Sequence, residues 1–92
     1  MQVKTKSGFK CDINPKIVED WRLVRAISKA SSDSTDVKLA AAVEIVSLIM
    51  GKYEEDFYKY LASKNEDGIV SEEAVTEDIQ SIIEKINALK NS

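Results

Sequence analysis

Hydrophobic and polar residues alternate along the first thirteen positions of the chain. The alternation runs through residues 3–6 and again through residues 9–13, with Ser7-Gly8 between the two runs. Such a period-two pattern, interrupted by a glycine-containing dipeptide, is typical of two antiparallel strands joined by a turn. Asn14 and Pro15 follow directly and suit the N-cap and first position of a helix. The sequence therefore predicts a β-hairpin that leads straight into a helix.

A first helix is predicted from about Pro15 to Ala30. Four residues recur there at helical spacing and predict one apolar stripe, with Leu23 off it: Ile17, Trp21, Val24 and Ile27. A polar segment over residues 31–36 then separates this helix from the next.

The second predicted helix, about Val37 to Met50, is apolar on nearly all sides. One face carries Val37, Ala41, Ile45 and Leu48, and a nearly opposite face carries Leu39, Val43, Val46 and Met50. A helix that is apolar all round is buried on several sides. Two interpretations follow: the helix is central in the core, or another chain covers its second face. Gly51 is expected to end this helix.

Two further helices are predicted, at about residues 53–63 and 72–90. The first places Tyr53, Phe57, Tyr60 and Leu61 on one stripe that we expect in the core, and it turns Tyr58 toward solvent. The last helix has the cleanest amphipathic pattern of the chain, and its stripe includes Ile79, Ile82 and Ile86. Branched residues on so narrow a stripe predict a packing seam, either within the chain or between chains.

These elements predict an α+β fold in which a two-stranded N-terminal β-hairpin packs on a mainly helical domain of about four helices. A two-stranded ribbon is marginal alone, so the hairpin must lie on the helices. A chain of 92 residues forms one domain. We expect that domain over residues 1–92, with the hairpin at 1–13 and the helical part at 15–90.

The residue types argue against catalysis. The chain has no histidine and a single cysteine, Cys11, so a nucleophilic thiol would lack its usual base. Its three scattered glycines form no phosphate-binding loop. Residues 63–74 match a calcium loop only weakly, because Ser63 and Ala74 occupy the positions of the strongest carboxylate ligands. We therefore expect no enzyme activity, cofactor or metal, and Cys11 is expected to be a small buried residue on the second strand.

Charge is distributed unevenly along the chain. Residues 1–30 carry seven Lys or Arg against three Asp or Glu, whereas residues 51–92 carry five against ten. This asymmetry is typical of two solvated faces, or it allows unlike ends to attract neighbouring copies or a charged partner. The net charge of −3 gives no general attraction to nucleic acid. The longest apolar stretch, near residues 39–50, is too short to span a bilayer, so we expect no membrane association and a cytoplasmic protein.

Several short motifs resemble one protein family. Residues 3–9 read VKTKSGF, residues 19–23 read EDWRL, and residues 67–70 read DGIV. With a polar spacer, an apolar helix that ends at Gly51, an aromatic helix and a final amphipathic helix, the order resembles the small tail assembly chaperones of long-tailed bacteriophages and prophages. The resemblance extends over nearly the whole chain.

This resemblance implies a non-enzymatic role in virion morphogenesis. Such chaperones bind the long tape measure protein, keep it soluble and help to recruit tail tube subunits in the host cell cytoplasm. The implied partners are the tape measure protein and the tail tube protein, and the uneven charge also allows copies of the chain to line up as a homo-oligomer. The apolar positions predicted to bind a partner are Leu39, Val43, Val46, Met50, Ile79, Ile82 and Ile86.

Two other classes of protein stay open on the sequence alone. The first is a small adaptor or regulatory protein that forms a homodimer through its C-terminal helix. The second is a nucleic-acid-associated protein that uses the lysines of the hairpin, which we rank last.

Overall fold

The structure, a computed structural model, describes residues 1–90. Residues 91 and 92, which belong to the predicted domain, lie outside the described residues. Strands β1 (Gln2–Lys4) and β2 (Lys10–Asp12) pair antiparallel, with Val3 opposite Cys11. Helices α1 (Trp21–Lys29), α2 (Thr35–Met50), α3 (Glu54–Ser63) and α4 (Glu72–Lys90) follow, with short 3-10 turns at Pro15–Glu19 and Gly51–Tyr53. The predicted α+β class is confirmed, and α2, α3 and α4, the three helices of ten or more residues, form half of the described chain.

The hairpin turn is built around Gly8. The backbone N–H of Gly8 donates to Thr5 O at 2.9 Å, and the N–H of Thr5 donates to Phe9 O at 2.8 Å. Gly8 has φ 101°, a conformation that glycine adopts without steric cost. A Cβ at this position would come within 2.7 Å of the Tyr60 hydroxyl oxygen, so the turn also needs glycine for space. The predicted hairpin is therefore confirmed, although its strands are shorter than predicted and the connection spans residues 5–9 and not Ser7-Gly8 alone.

Polar contacts fasten this turn to the helices. The N–H and the hydroxyl of Ser7 both donate to Asp78 Oδ1, at 3.0 and 2.9 Å, and the Tyr60 hydroxyl donates to Ser7 O at 2.8 Å. Lys85 donates from its ammonium group to the carbonyl oxygen of Lys4. Asp78 is buried, and its hydrogen bonds to Ser7 offset part of the cost of burying a polar group there. The hairpin is thereby held on α3 and α4 at its turn.

The core lies between the inner face of the hairpin and the helices. The ring of Phe9 packs against the rings of Phe57 and Tyr60, with centroids 5.4 and 5.5 Å apart. The buried residues of the core come from all four helices, both strands and the residue after β2: Val3, Cys11, Ile13, Leu23, Val46, Ile49, Met50, Phe57, Leu61, Ile79, Ile82 and Ile86. The expected burial of Cys11 is confirmed, and that burial, with the neighbouring Asp12 carboxylate, raises the pKa of the thiol.

The first helix differs from its prediction in extent. A 3-10 turn over Pro15–Glu19 ends before Asp20, whose backbone is extended at φ −69° and ψ 123°. The Asp20 carboxylate then accepts from the N–H of Arg22 at 2.8 Å and caps α1. The same carboxylate pairs with the Arg22 guanidinium, which lowers the pKa of Asp20 to about 2. Asp20 therefore divides the predicted single helix into two pieces.

The buried face of α1 also differs from its prediction. Leu23 and Ala26 are fully buried, whereas Trp21 is 75% exposed and Val24 and Ile27 are also exposed. The predicted stripe is therefore wrong as the packing face of α1. The helix turns Leu23, which lies off the predicted stripe, toward the core. This leaves Trp21, Val24 and Ile27 at the surface, whereas Ile17 of the preceding 3-10 turn packs against the core.

Helix α2 is buried mainly along its C-terminal half. Val46, Ile49 and Met50 are buried there, and Ala41 is buried nearer the start of the helix. Val37, Leu39 and Val43 are exposed. The buried set combines residues from both predicted faces, because α2 packs against α1, α3 and α4. The C-terminal half of α2 is thus part of the core, and the cover of its exposed residues by another chain stays a prediction.

Within residues 1–90, no helix has both the length and the hydrophobicity that a membrane span requires.

Candidate protein-binding surface

An apolar groove runs along the surface between α2 and α4. It consists of two hollows of about 530 and 510 Å³ that share Ala42, Val46, Val75 and Thr76. The first hollow is also lined by Leu39, Val43, Tyr58, Val70 and Glu72, and the second by Ile27, Ile45, Ile79 and Ile83. Because the hollows share their central residues, they form one continuous surface, which we call the apolar groove.

The rim of the apolar groove exposes large aliphatic side chains. Val43 is 63% exposed and Leu39 is 44% exposed, and Ile27 projects from α1 at the other end. Burying such side chains against a partner is favourable by roughly 25 cal/mol per Å² of apolar surface removed from water. The groove is therefore suited to bind an apolar face of another polypeptide.

The predicted partner-binding residues fall into two groups. Leu39, Val43, Val46 and Ile79 line the apolar groove, although Val46 and Ile79 form its floor and are nearly inaccessible. Met50, Ile82 and Ile86 lie in the core and line neither hollow. These three residues were predicted to bind a partner, and their burial corrects that prediction. A partner that docks on the folded chain contacts the rim of the groove and not the core. The same burial places Ile79, Ile82 and Ile86 of α4 inside the chain, as the within-chain alternative for this seam predicts.

Several groove residues were missed by sequence reasoning. Tyr58, expected to be the outward-facing aromatic of its helix, is partly buried at the groove, and Trp21 is far more exposed. Val70 and Val75 come from the turn before α4 and from its first turns. The apolar pair at residues 69–70, in an otherwise polar turn, was the available signal for Val70.

The Tyr58 end of the groove has a polar network behind it. The Tyr58 hydroxyl donates to Glu54 Oε2 at 2.8 Å, and the Ser47 hydroxyl donates to the same carboxylate at 3.0 Å. Burial and the contact with Glu54 raise the pKa of Tyr58 to about 12. The phenol is thus neutral at physiological pH, with its proton directed at Glu54.

A second apolar surface lies on the outer face of α1. Trp21 and Val24 are exposed there, and Arg22 and Arg25 lie beside them on the same helix. Large exposed apolar residues on a small protein mark candidate interaction sites. This stripe lies outside the apolar groove, to which only Ile27 of the predicted stripe contributes.

The other surface features offer less chemistry. A hollow on the hairpin is lined mostly by charged and polar groups, including Lys4, Lys10 and Asp12. Lys6, at the turn, is paired with Glu77 at 3.2 Å, which neutralises part of the basic hairpin. Over residues 1–90, no group of three or more His, Cys, Asp or Glu side chains is placed to hold a metal ion.

Comparisons with protein-family models, with curated proteins and with solved structures find no match. The functional interpretation therefore depends on the residues of this chain and on the geometry of the apolar groove.

Proposed function

We propose that this chain is a non-enzymatic bacteriophage tail assembly chaperone that binds the tape measure protein. The observation that carries the proposal is the apolar groove between α2 and α4, with Leu39 and Val43 exposed on its rim. A long helical protein such as a tape measure protein presents apolar stripes, and helix-in-groove binding needs a complementary apolar surface. The resemblance of the short motifs, from the VKTKSGF hairpin to the DGIV turn, to tail assembly chaperones supports the same function.

The remaining partners belong to this proposal. We place the chaperone in the host cell cytoplasm, where it helps to recruit the tail tube protein, and we expect it to bind neither membranes nor nucleic acid. A homo-oligomer remains part of the proposal, and the exposed stripe of α1 is a second apolar surface for contacts between copies. The alternative adaptor that dimerises through its C-terminal helix receives no support from the burial of Ile79, Ile82 and Ile86.

Co-expression with the tape measure protein of the same phage or prophage tests the proposal. The expected result is that a tape measure protein that is insoluble alone becomes soluble and co-purifies with many copies of this chain. A double variant, Leu39→Asn with Val43→Asn, should lose this effect, because it replaces the two exposed aliphatic residues at the groove rim.

The matched control is Val37→Asn with Ile69→Asn. Both residues are exposed, line neither hollow and lie outside the exposed stripe of α1, so this variant makes comparable changes away from both candidate surfaces. It should solubilise the tape measure protein as the unmodified chain does. A tape measure protein that stays insoluble with the unmodified chain would refute the proposed function. Equal losses in the two double variants would refute the groove as the binding site.

A further inference from the structure

The charge at the apolar groove is negative only. Among the described residues that line its two hollows, Glu72 is the only charged side chain, and no Lys or Arg is present. The Glu54 carboxylate lies directly behind Tyr58 at the same end of the groove. Two carboxylates therefore lie at one end of an otherwise apolar surface, and an apolar wall strengthens their field.

The hydroxyl of Tyr58 is also prepared to accept rather than donate a hydrogen bond. Its proton is already donated to Glu54 Oε2 at 2.8 Å. A phenolic oxygen keeps acceptor lone pairs when its proton is engaged. Ser47 donates to the same Glu54 carboxylate from α2 and so fixes its position between α2 and α3. The Tyr58 end of the groove thus presents acceptors to whatever binds there.

We propose that the apolar groove binds an amphipathic helix whose apolar stripe is flanked by Lys or Arg. Apolar side chains from successive turns of that helix fill the two adjoining hollows, and a cationic side chain lies between Glu72 and the Tyr58 hydroxyl oxygen. This inference rests on the proposed function, because the helix would be a segment of the tape measure protein. The charge complementarity selects cationic over anionic helices, whereas the apolar contacts supply most of the affinity.

Two synthetic peptides of about 15 residues, long enough to form a helix on binding, test the inference. They share one apolar face and differ only in carrying Lys or Glu beside it. Titration calorimetry with the full chain should show that the Lys peptide binds several-fold more tightly. The preference should shrink as salt is added, since ions screen the contributing charges.

Two variants separate the charge from the apolar surface. Glu72→Gln should lower the affinity for the Lys peptide several-fold and bring the affinities of the two peptides closer together. Val43→Asn should lower the affinity for both peptides. Val37→Asn, on an exposed valine of α2 outside the groove, should change neither. Circular dichroism of each variant verifies that the fold is retained.

The outcomes distinguish this inference from the proposed function. Equal affinities of the two peptides, or tighter binding of the Glu peptide, would overturn the cationic helix even if the tape measure protein is kept soluble. Absence of binding by either peptide, with solubilisation intact, would overturn a helical occupant. A clear preference for the Lys peptide without any effect on the tape measure protein would retain the groove chemistry and remove the proposed partner.

Discussion

Val43 and Val46 lie three residues apart on α2 and have very different surroundings. Val43 is 63% exposed on the rim of the apolar groove, and Val46 is 4% exposed at its floor, within the core. Both positions are inside the same helix, so a Val→Ala substitution changes the helix propensity equally at each. The two substitutions therefore differ in the burial that each one removes.

The structure sets the size of the two effects. Val→Ala removes two methyl groups and gains about 0.5 kcal/mol of helix propensity. At Val46 the lost burial is roughly 1.6 kcal/mol, and the cavity left behind adds about 1 kcal/mol. The free energy of unfolding should therefore fall by about 2 kcal/mol. At Val43 only about a third of the burial is lost, roughly 0.6 kcal/mol, which the gain in propensity nearly cancels.

Thermal unfolding followed by far-ultraviolet circular dichroism measures both effects. For a domain of this size, Val46→Ala should lower Tm by about 8–16 °C, and Val43→Ala should change it by less than about 4 °C. Urea unfolding of the same samples gives the free energies directly if the transition is two-state. Equal shifts in the two variants, or a larger shift for Val43→Ala, would refute the reasoning. The rotation of α2 that defines the groove would then be wrong.

Three further predictions concern the hairpin and the polar end of the groove. Gly8→Ala should destabilise the fold by about 1–3 kcal/mol in urea unfolding, because a strained φ is costly and the new Cβ meets the Tyr60 hydroxyl; unchanged stability would contradict the geometry of the turn. Since the pKa of Tyr58 is raised from 10.0 to about 12, its contribution to stability is complete below pH 10 and is lost as the pH rises toward 12. Titration of phenolate absorbance should therefore show one late-ionising tyrosine that Tyr58→Phe removes, and identical late phases in both proteins would contradict the contact with Glu54. Cys11 should react slowly with a disulfide reagent in the folded protein and rapidly in urea, because burial raises the pKa of its thiol; fast reaction of the folded chain would mean that the hairpin does not cover it.

Local patterns predicted the elements whose signals come from neighbouring residues. The hairpin follows from period-two alternation and from Gly8, whose positive φ and lack of a Cβ the turn requires. The final helix follows from a single apolar stripe, and Ile79, Ile82 and Ile86 are buried on it as the pattern indicates. The pattern did not predict Asp78, a buried carboxylate beside that stripe, because its partner Ser7 is 71 residues away in the chain.

The residues of the apolar groove were predicted only in part, because hydrophobicity does not tell a core position from an exposed binding position. Leu39 and Val43 were selected as partner-binding residues and lie exposed on the groove rim, where their role stays a prediction. Met50, Ile82 and Ile86 were selected by the same hydrophobicity and lie in the core. Hydrophobicity measures the free energy gained by leaving water, and that gain is the same whether the covering surface belongs to this chain or to another.

The sequence by itself therefore determined the order of the elements, the turn at Gly8 and the excess of apolar surface on the helices. Only the tertiary structure decided which face of each helix is covered. Helix α1 has two apolar faces, one with Leu23 and Ala26 and the other with Trp21 and Val24. Packing against α2 buries the first face and leaves the second exposed. That choice depends on volumes and contacts summed over distant elements, because close packing admits one arrangement of neighbouring side chains and the local pattern is compatible with several.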